Sequence, residues 1–413
     1  MTAIPFRCRN CGGADARTFV DLGLSPLANS YVTPDKTGVA DPAYPLHARV
    51  CSSCLLVQVD DVVPAHEIFN KDYAYFSSFS ESWLRHCESF AKAATDRYAL
   101  DANSLVIEIA SNDGYLLQYF KAAGIRVLGV EPTANTAAAA IAKGIPTRVD
   151  FFGEALARKM AAEGIRPNLI CSANVLAHVP DIRDFVTGVK TILAGDAIYT
   201  VEFPQLLSLI ANAQFDTIYH EHFSYLSLYS TERVMRAVGL RVFDVETLDT
   251  HGGSLRVHAC LEDAVHEEAP RVAEQRRREA AAGLDRLAGY EGFEVKVRAI
   301  RDGLLAFLAD AQRTGRKVAA YGAAAKGNTL LNYCGIGDDQ IAYVVDKNPA
   351  KQNKLLPGSH IPVRPVEALY EERPDDLLIL PWNIKDEILD QLANLRAAGT
   401  RFHVAVPEMT VVA

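Results

Sequence analysis

Short, wholly apolar runs alternate twice with amphipathic stretches, and this alternation restricts the fold more than any other feature. The first series is Leu105–Ile109, Val127–Val130, Leu169–Ser172 and Ala197–Val201. The second is Val318–Tyr321, Ile341–Val345, Leu377–Leu380 and His403–Val406. Strands buried on both faces, each returned by a helix, make parallel sheets covered on two sides. Two doubly wound α/β units are therefore expected. Each carries an acid after its second strand, Glu131 and Asp346, so the units read as weak internal echoes. Residues 81–99 read as a helix, and 263–316, charged and without proline after Pro270, as one or two long helices. The expected division is 1–70, 71–262 and 263–413.

Residues 1–70 differ in texture. Phe6–Cys8 and His47–Cys51 read as short strands running into tight turns. Cys8-x-x-Cys11 and Cys51-x-x-Cys54 form two hooks, each able to wrap one face of a tetrahedral ion. The 39 residues between the hooks exceed the ~15–20 of a compact zinc finger. Four sulfur ligands leave no open position, so the expected ion is a structural zinc. Cys87, Cys171, Cys260 and Cys334 lack such spacing and read as inert buried thiols. Residues 1–30 hold Arg7, Arg9 and Asp15 but no apolar core of an export signal, so reduced thiols or metal ligands in a cytoplasmic protein are expected. With 49% hydrophobic and 23% charged residues the chain is not disordered. No run of about 18 apolar residues suggests a membrane span. A net charge of -9 argues against nucleic acid as a partner. The expected state is a monomer.

After the strand Leu105–Ile109 comes a turn of small and acidic residues: Glu108-Ile-Ala110-Ser-Asn112-Asp113-Gly114. Its amides sit at a helix start, and Glu108 is expected to face the ligand crevice. Glu131-Pro132 closes the next strand, where an acid suits two ribose hydroxyls. A dinucleotide site would carry three glycines to admit a pyrophosphate; this turn has only Gly114 and repels a diphosphate. It suits the ammonium and sulfonium of S-adenosylmethionine. The third run leads through Asn174 into Ala177-His178-Val179-Pro180-Asp181, where methyltransferases of this fold line the methyl-donor pocket.

The second unit has Tyr321-Gly-Ala-Ala-Ala-Lys326-Gly327-Asn328 between a strand and a helix. Small residues, a lysine and helix-start amides cradle phosphate, and no acid opposes it. Asp346-Lys347-Asn-Pro-Ala-Lys351 follows the next strand, placed to hold a nucleoside and neutralise phosphate. His251-Gly252-Gly253-Ser254 lies at the junction; it reads either as a sugar contact or as an ordinary turn.

Tyr219-His220-Glu221-His222-Phe-Ser-Tyr225 packs six ionisable or hydroxyl groups into seven residues. From these residues alone a catalytic cluster, a metal site and a polar surface strand all stay open. His178 and the cluster Tyr73-x-Tyr75-Phe-Ser-Ser are candidate companions.

Together, these blocks resemble the sugar C-methyltransferases that act on nucleotide-linked deoxysugars, the NDP-hexose 3-C-methyltransferases. The resemblance spans essentially the whole chain. It rests on the paired hooks, Glu108–Gly114, Asn174–Asp181, Tyr219–Phe223, His251–Ser254 and Tyr321–Asn328. It implies a zinc-binding N-terminal domain, a central class I (Rossmann-like) methyltransferase domain and a second Rossmann-like domain for the NDP-sugar. It also implies His222 as catalytic base, with Tyr219, Glu221, His178 and either Tyr73 or Tyr75 around it. The chemistry suits these residue types. A 4-keto group acidifies C3–H, a histidine of pKa ~6.5 removes that proton, and the enolate carbon takes the methyl group. Glu221 would orient the ring, and His178 and a tyrosine would donate to the enolate oxygen. O- or N-methylation of the same sugars, or a silent sugar-nucleotide-binding module, are the rival readings.

Overall fold

The computed structural model describes residues 5–36, 39–60, 62–64 and 76–412. Tyr73 and Tyr75 lie outside them.

Three sheets organise the chain. The N-terminal sheet pairs Ala16–Pro26, Ala43–Cys51 and Val57–Val59 antiparallel. Its register sets Ala16 opposite Cys51, so the 39-residue separation of the two hooks is closed by a long hairpin. Phe6–Cys8 is not a strand. Its backbone turns instead, with the Gly12 N–H on the Cys8 carbonyl and the Cys8 N–H on the Gly13 carbonyl. A left-handed Gly12 makes that knuckle possible.

In the middle sheet the strands run Leu240–Leu248, Ser254–Leu261, Ile198–Pro204, Leu169–Ala173, Leu105–Ile109, Arg126–Val130, Thr147–Arg148. The last five are parallel, and Ser254–Leu261 is antiparallel to both of its neighbours. All five residues of Leu105–Ile109 are buried, as a central parallel strand requires. The C-terminal sheet is ordered Val363–Arg364, Val344–Val345, Val318–Tyr321, Asp376–Ile379, Arg401–Val404, Thr410–Val412, and only the last strand is antiparallel. Both sheets therefore share the order third, second, first, fourth, fifth, then an antiparallel strand, so the echo extends from motif to topology. Each has its order reversal beside its first strand, which opens a crevice at the carboxyl ends. Ile341, expected in a strand, precedes it; it is apolar because it is buried in the core beneath the sheet.

The charged stretch 263–316 forms two helices, Pro270–Ala281 and Phe293–Arg313, joined through a 3-10 turn at Leu287–Tyr290. Pro270 starts the first, where its missing N–H costs nothing. Phe293 of the second stacks on Phe19 of the N-terminal sheet, with ring centroids 4.4 Å apart. One apolar core thus runs from the N-terminal sheet through this helix to the C-terminal sheet. The short strand Ser224–Tyr225 adds to the N-terminal sheet beside Val57 and Gln58. The segment just before it is thereby held where all three sheets meet. Among the described residues no helix is long and apolar enough to cross a membrane.

Candidate active site

The four sulfur atoms of Cys8, Cys11, Cys51 and Cys54 lie within 4.8 Å of one another, with Cys8–Cys54 at 3.4 Å and Cys11–Cys51 at 3.5 Å. A tetrahedral zinc with Zn–S ~2.3 Å has S–S edges of about 3.8 Å, so this group fits the ion. Among the described residues no other cluster of metal-ligating atoms closes in this way. The histidine run is not a metal site. The Nε2 of His220 meets the Pro45 carbonyl and its ring packs edge-on to Tyr44, inside the N-terminal sheet, whereas His222 faces the opposite way.

His222 faces a cavity of about 1130 Å³ at the junction of the three sheets. Single small-molecule pockets occupy ~300–1,000 Å³, so this one has room for two ligands side by side.

One end is built on the middle sheet. Ala110, Asn112 and Asn174 line it, each with a positive φ that turns the chain sharply off a strand end. Glu131 and Pro132 complete this end. The Glu131 carboxylate accepts the N–H groups of Asn112 and Thr133, both at 2.9 Å, and so ties the two strand ends together. Its Oε2 keeps a lone pair for a further donor. These groups fit an adenosyl donor: an acid at the second strand end and no glycine-rich phosphate cradle. Three expected contacts fall elsewhere. Glu108 lies beneath the turn, not on the crevice, and burial raises its carboxyl well above the usual range while Tyr115 opposes the shift. Asp113 is buried and paired with Lys143 at 3.1 Å. A Cβ on Gly114 would meet Ile145 at 2.3 Å, so this glycine serves close packing.

At the centre, His222 Nδ1 lies 2.8 Å from the Thr217 carbonyl oxygen. A carbonyl only accepts, so Nδ1 carries the proton and Nε2 the lone pair. Nε2 is 2.9 Å from the Tyr219 hydroxyl. The His178 ring meets His222 edge to face, with centroids 4.6 Å apart. Burial, followed by the neighbouring His178, pushes the His222 pKa well below 6.5. Glu221 does not orient the base; Thr217 does. The Glu221 carboxylate instead accepts from Asn29 Nδ2 at 2.6 Å, and burial raises it to about 7. Nor does His178 reach the role of enolate donor. Burial lowers it to about 4, and its N–H is given to the Glu221 backbone carbonyl. A neutral imidazole has no second proton to offer.

The other end belongs to the C-terminal unit: Ala324, Ala325, Lys326, Asp346, Lys347 and Lys351. Asp346 accepts the Ala323 and Asn348 N–H groups, both at 2.8 Å, and Lys351 donates to the Ala323 carbonyl at 2.7 Å. The helix Ala325–Cys334 points its N-terminus at this end. Gly327 and Asn328 are structural. A Cβ on Gly327 would meet Leu380 at 2.7 Å, and Asn328 is buried with its amide on the Ala28 carbonyl. The glycine pair is likewise no sugar contact: Gly252 packs against Trp382 and Gly253 against Ser208. His251, at φ 55°, does line the cavity, edge-on to Trp83.

Several lining residues escape sequence reasoning. Asn29, Ser30 and Tyr31 arrive from the N-terminal segment and Trp83 from the helix Glu81–Arg97, with no local pattern to mark them, whereas Phe76 and Ser77 of the aromatic cluster singled out in the sequence do line the cavity. Phe151 and Phe152 follow the third strand, which at two residues, Thr147–Arg148, is too short to register as an apolar run.

Three family models match the chain: "C-methyltransferase C-terminal domain" over 249–407, "Methyltransferase domain" over 83–245 and "Putative zinc binding domain" over 8–69. C-methyltransferase NovU of Streptomyces niveus is 36% identical over 405 residues, 98% of this chain and 96% of that one. Among solved structures, the 1,6-didemethyltoxoflavin-N1-methyltransferase of Burkholderia thailandensis is 14% identical, covers 52% of this chain and 96% of its own, and has a TM-score of 0.37. The magnesium protoporphyrin IX methyltransferase of Synechocystis is 12% identical, over 48% and 98%, at 0.35.

Proposed function

We propose, for a chain that belongs to the C-methyltransferase family, that it methylates carbon 3 of a nucleotide-linked 4-keto-deoxysugar. Its cofactors are S-adenosylmethionine and a structural zinc. It works in the cytoplasm, and its three units divide at residues 70 and 262.

One observation carries it. The lone pair of His222 Nε2 is fixed at the middle of a two-ligand cavity. One end offers an acid for a ribose, and the other offers Lys347, Lys351 and helix-start amides for a diphosphate. S-adenosylmethionine, when bound, supplies an electrophilic methyl group. Ala110, Asn112, Glu131, Pro132 and Asn174 would hold it. Asp346, Lys347 and Lys351 would hold the nucleoside diphosphate, which sets the sugar ring between the ends.

His222 Nε2 then accepts the C3 proton. The Thr217 carbonyl keeps the opposite proton on Nδ1, so the imidazolium that forms stays oriented. Tyr219, whose hydroxyl already reaches Nε2, donates to the substrate oxygen. His178 packs against the ring and fixes its plane.

Carbon methylation requires the C–H to be broken, whereas O- or N-methylation does not. The test is solvent-deuterium wash-in at C3 of NDP-4-keto-sugars with S-adenosylhomocysteine bound, followed by mass spectrometry of products with the methyl donor. Exchange and a carbon-bound methyl are expected. Methylation without exchange would refute the carbon reading.

A further inference from the structure

Forming an enolate puts a negative charge on the substrate oxygen inside a cavity from which water is displaced. The charge needs donors that are still free. The three imidazoles at the cavity centre supply no cation. His222 has committed its N–H to Thr217 and His178 to Glu221, and burial lowers His251 to about 4, so it offers at most one uncharged N–H. Tyr219 has one neutral hydroxyl, which at rest donates to His222 Nε2.

Lys326 is different. Its Nζ donates to Asn383 Oδ1 at 2.8 Å and sits 4.7 Å from the Trp382 ring. An ammonium has three donors, so Asn383 leaves two. Trp382 is itself anchored, its Nε1–H donating to Asp216 Oδ2 at 2.7 Å. Asp216 shares the turn Phe215–Thr217 with the carbonyl that orients His222. Thr329, on the helix that carries Lys326, donates to the Ile218 carbonyl at 3.3 Å just beyond that turn. One short turn therefore positions both the base and the lysine. Lys347 and Lys351, by contrast, belong to the loop after the second strand of the C-terminal sheet.

We infer that Lys326 is a catalytic residue of the C-methylation step, its ammonium hydrogen-bonding the substrate oxygen that becomes the enolate, rather than a ligand of the diphosphate. This rests on the keto-sugar reading above. The C3–H bond breaks and its proton passes to His222 Nε2. The C3–H electron pair becomes the C3–C4 double bond, and the carbonyl pair moves to the oxygen facing Lys326. When the carbon takes the methyl group, the S–CH3 bond of S-adenosylmethionine breaks and leaves its pair on the sulfur of S-adenosylhomocysteine, the carbonyl reforms, and Lys326 stays protonated throughout.

Burial, opposed by Asp216, lowers Lys326 to about 8, so it is cationic at neutral pH. The titratable groups in charge contact with it are Asp216, His222 and His251. Activity should therefore fall on an alkaline limb near pH 8.

The test uses the full chain and three readouts on Lys326→Met and Lys326→Arg: deuterium wash-in at C3, calorimetric affinity for thymidine and uridine diphosphates, and the pH profile of kcat. Melting curves establish that each variant folds. We expect Lys326→Met to lose exchange and methylation by ~10²–10³-fold, the scale of one oxyanion donor, with nucleoside diphosphate affinity unchanged. Lys326→Arg should recover part of the rate and move the alkaline limb upward, since a guanidinium does not titrate there. Should Lys326→Met not fold, the shift of that limb in Lys326→Arg decides alone. Exchange at the wild-type rate with weakened diphosphate binding would overturn the proposal and make Lys326 a phosphate ligand. A wild-type chain that exchanges no keto-sugar proton overturns the substrate reading, and the proposal with it.

Discussion

At the scale of single residues, the site turns on which atom of which side chain is free. His222 has one nitrogen bound to a carbonyl and one facing the cavity, so replacing it should remove proton abstraction and little else. His222→Asn should lower methylation by ~10²–10⁴-fold, the contribution of a positioned base. Binding of S-adenosylhomocysteine and of nucleoside diphosphate should stay intact by calorimetry, and a variant that still exchanges the C3 proton would place the base elsewhere. The pH dependence follows from the direction of its shift. A base works unprotonated. Burial and the neighbouring His178 lower the His222 pKa, so it is neutral throughout the range above 6.5 and protonates only below it. The acidic limb of kcat/KM should accordingly lie below pH 6.5, and a limb above that value would contradict this environment. The Tyr219–Tyr225 cluster was visible in the sequence, but not the division of labour within it. Neighbours in a turn point in different directions, so His220 enters the N-terminal sheet, Glu221 turns to Asn29 and His222 alone takes the base's place.

At the scale of elements, glycines marked the turns correctly but for different reasons than ligand approach. Gly252 has φ 89° and a rigid indole 2.4 Å from where a Cβ would stand, whereas Gly124, at φ 79°, has nothing within 4 Å. Gly252→Ala should therefore cost strain and overpacking together, ~2–4 kcal/mol. Gly124→Ala should cost only the ~1–2 kcal/mol of its left-handed backbone. Urea denaturation of the two variants separates these terms, and equal losses would refute the packing role. The paired hooks were legible because metal geometry leaves a mark in local spacing. The lining by Asn29, Tyr31 and Trp83 was not, because contacts made by distant segments leave none. Zinc connects the two levels. Cys54 is followed closely by Val57 and Gln58, which pair with Ser224–Tyr225, the strand directly after His222. Elemental analysis should find one zinc per chain. Cys51→Ser should lose it, melt the N-terminal sheet and abolish methylation, although the metal is not at the reacting carbon. Full activity in a zinc-free chain would break that link.

At the scale of the whole molecule, two sheets of one topology face each other across a single cavity, and the chemistry of their turns differs in sign. The runs of apolar residues were enough to foresee both sheets. Their opposition across one cavity depends on the apolar core that joins the N-terminal sheet, the helix Phe293–Arg313 and the C-terminal sheet, a property of packing rather than of pattern. Opposed sites on separate units should have separable affinities. The Glu131 carboxylate, buried at the second strand end of the middle sheet, is expected to take a ribose hydroxyl of the methyl donor on its remaining lone pair. One charge-assisted hydrogen bond at ~1.5–3 kcal/mol makes the loss in Glu131→Ala at least about tenfold for S-adenosylmethionine, with nucleoside diphosphate affinity spared. Lys347→Ala combined with Lys351→Ala should do the reverse, because both charges sit on the loop of the C-terminal sheet, away from the adenosyl end. Calorimetric titration of each ligand into each variant gives four affinities. Loss confined to one ligand per variant is the outcome of two sites on two sheets. If either variant weakened both ligands equally, the cavity would be one shared site, and the proton transfer at His222 would need a different arrangement of donor and sugar.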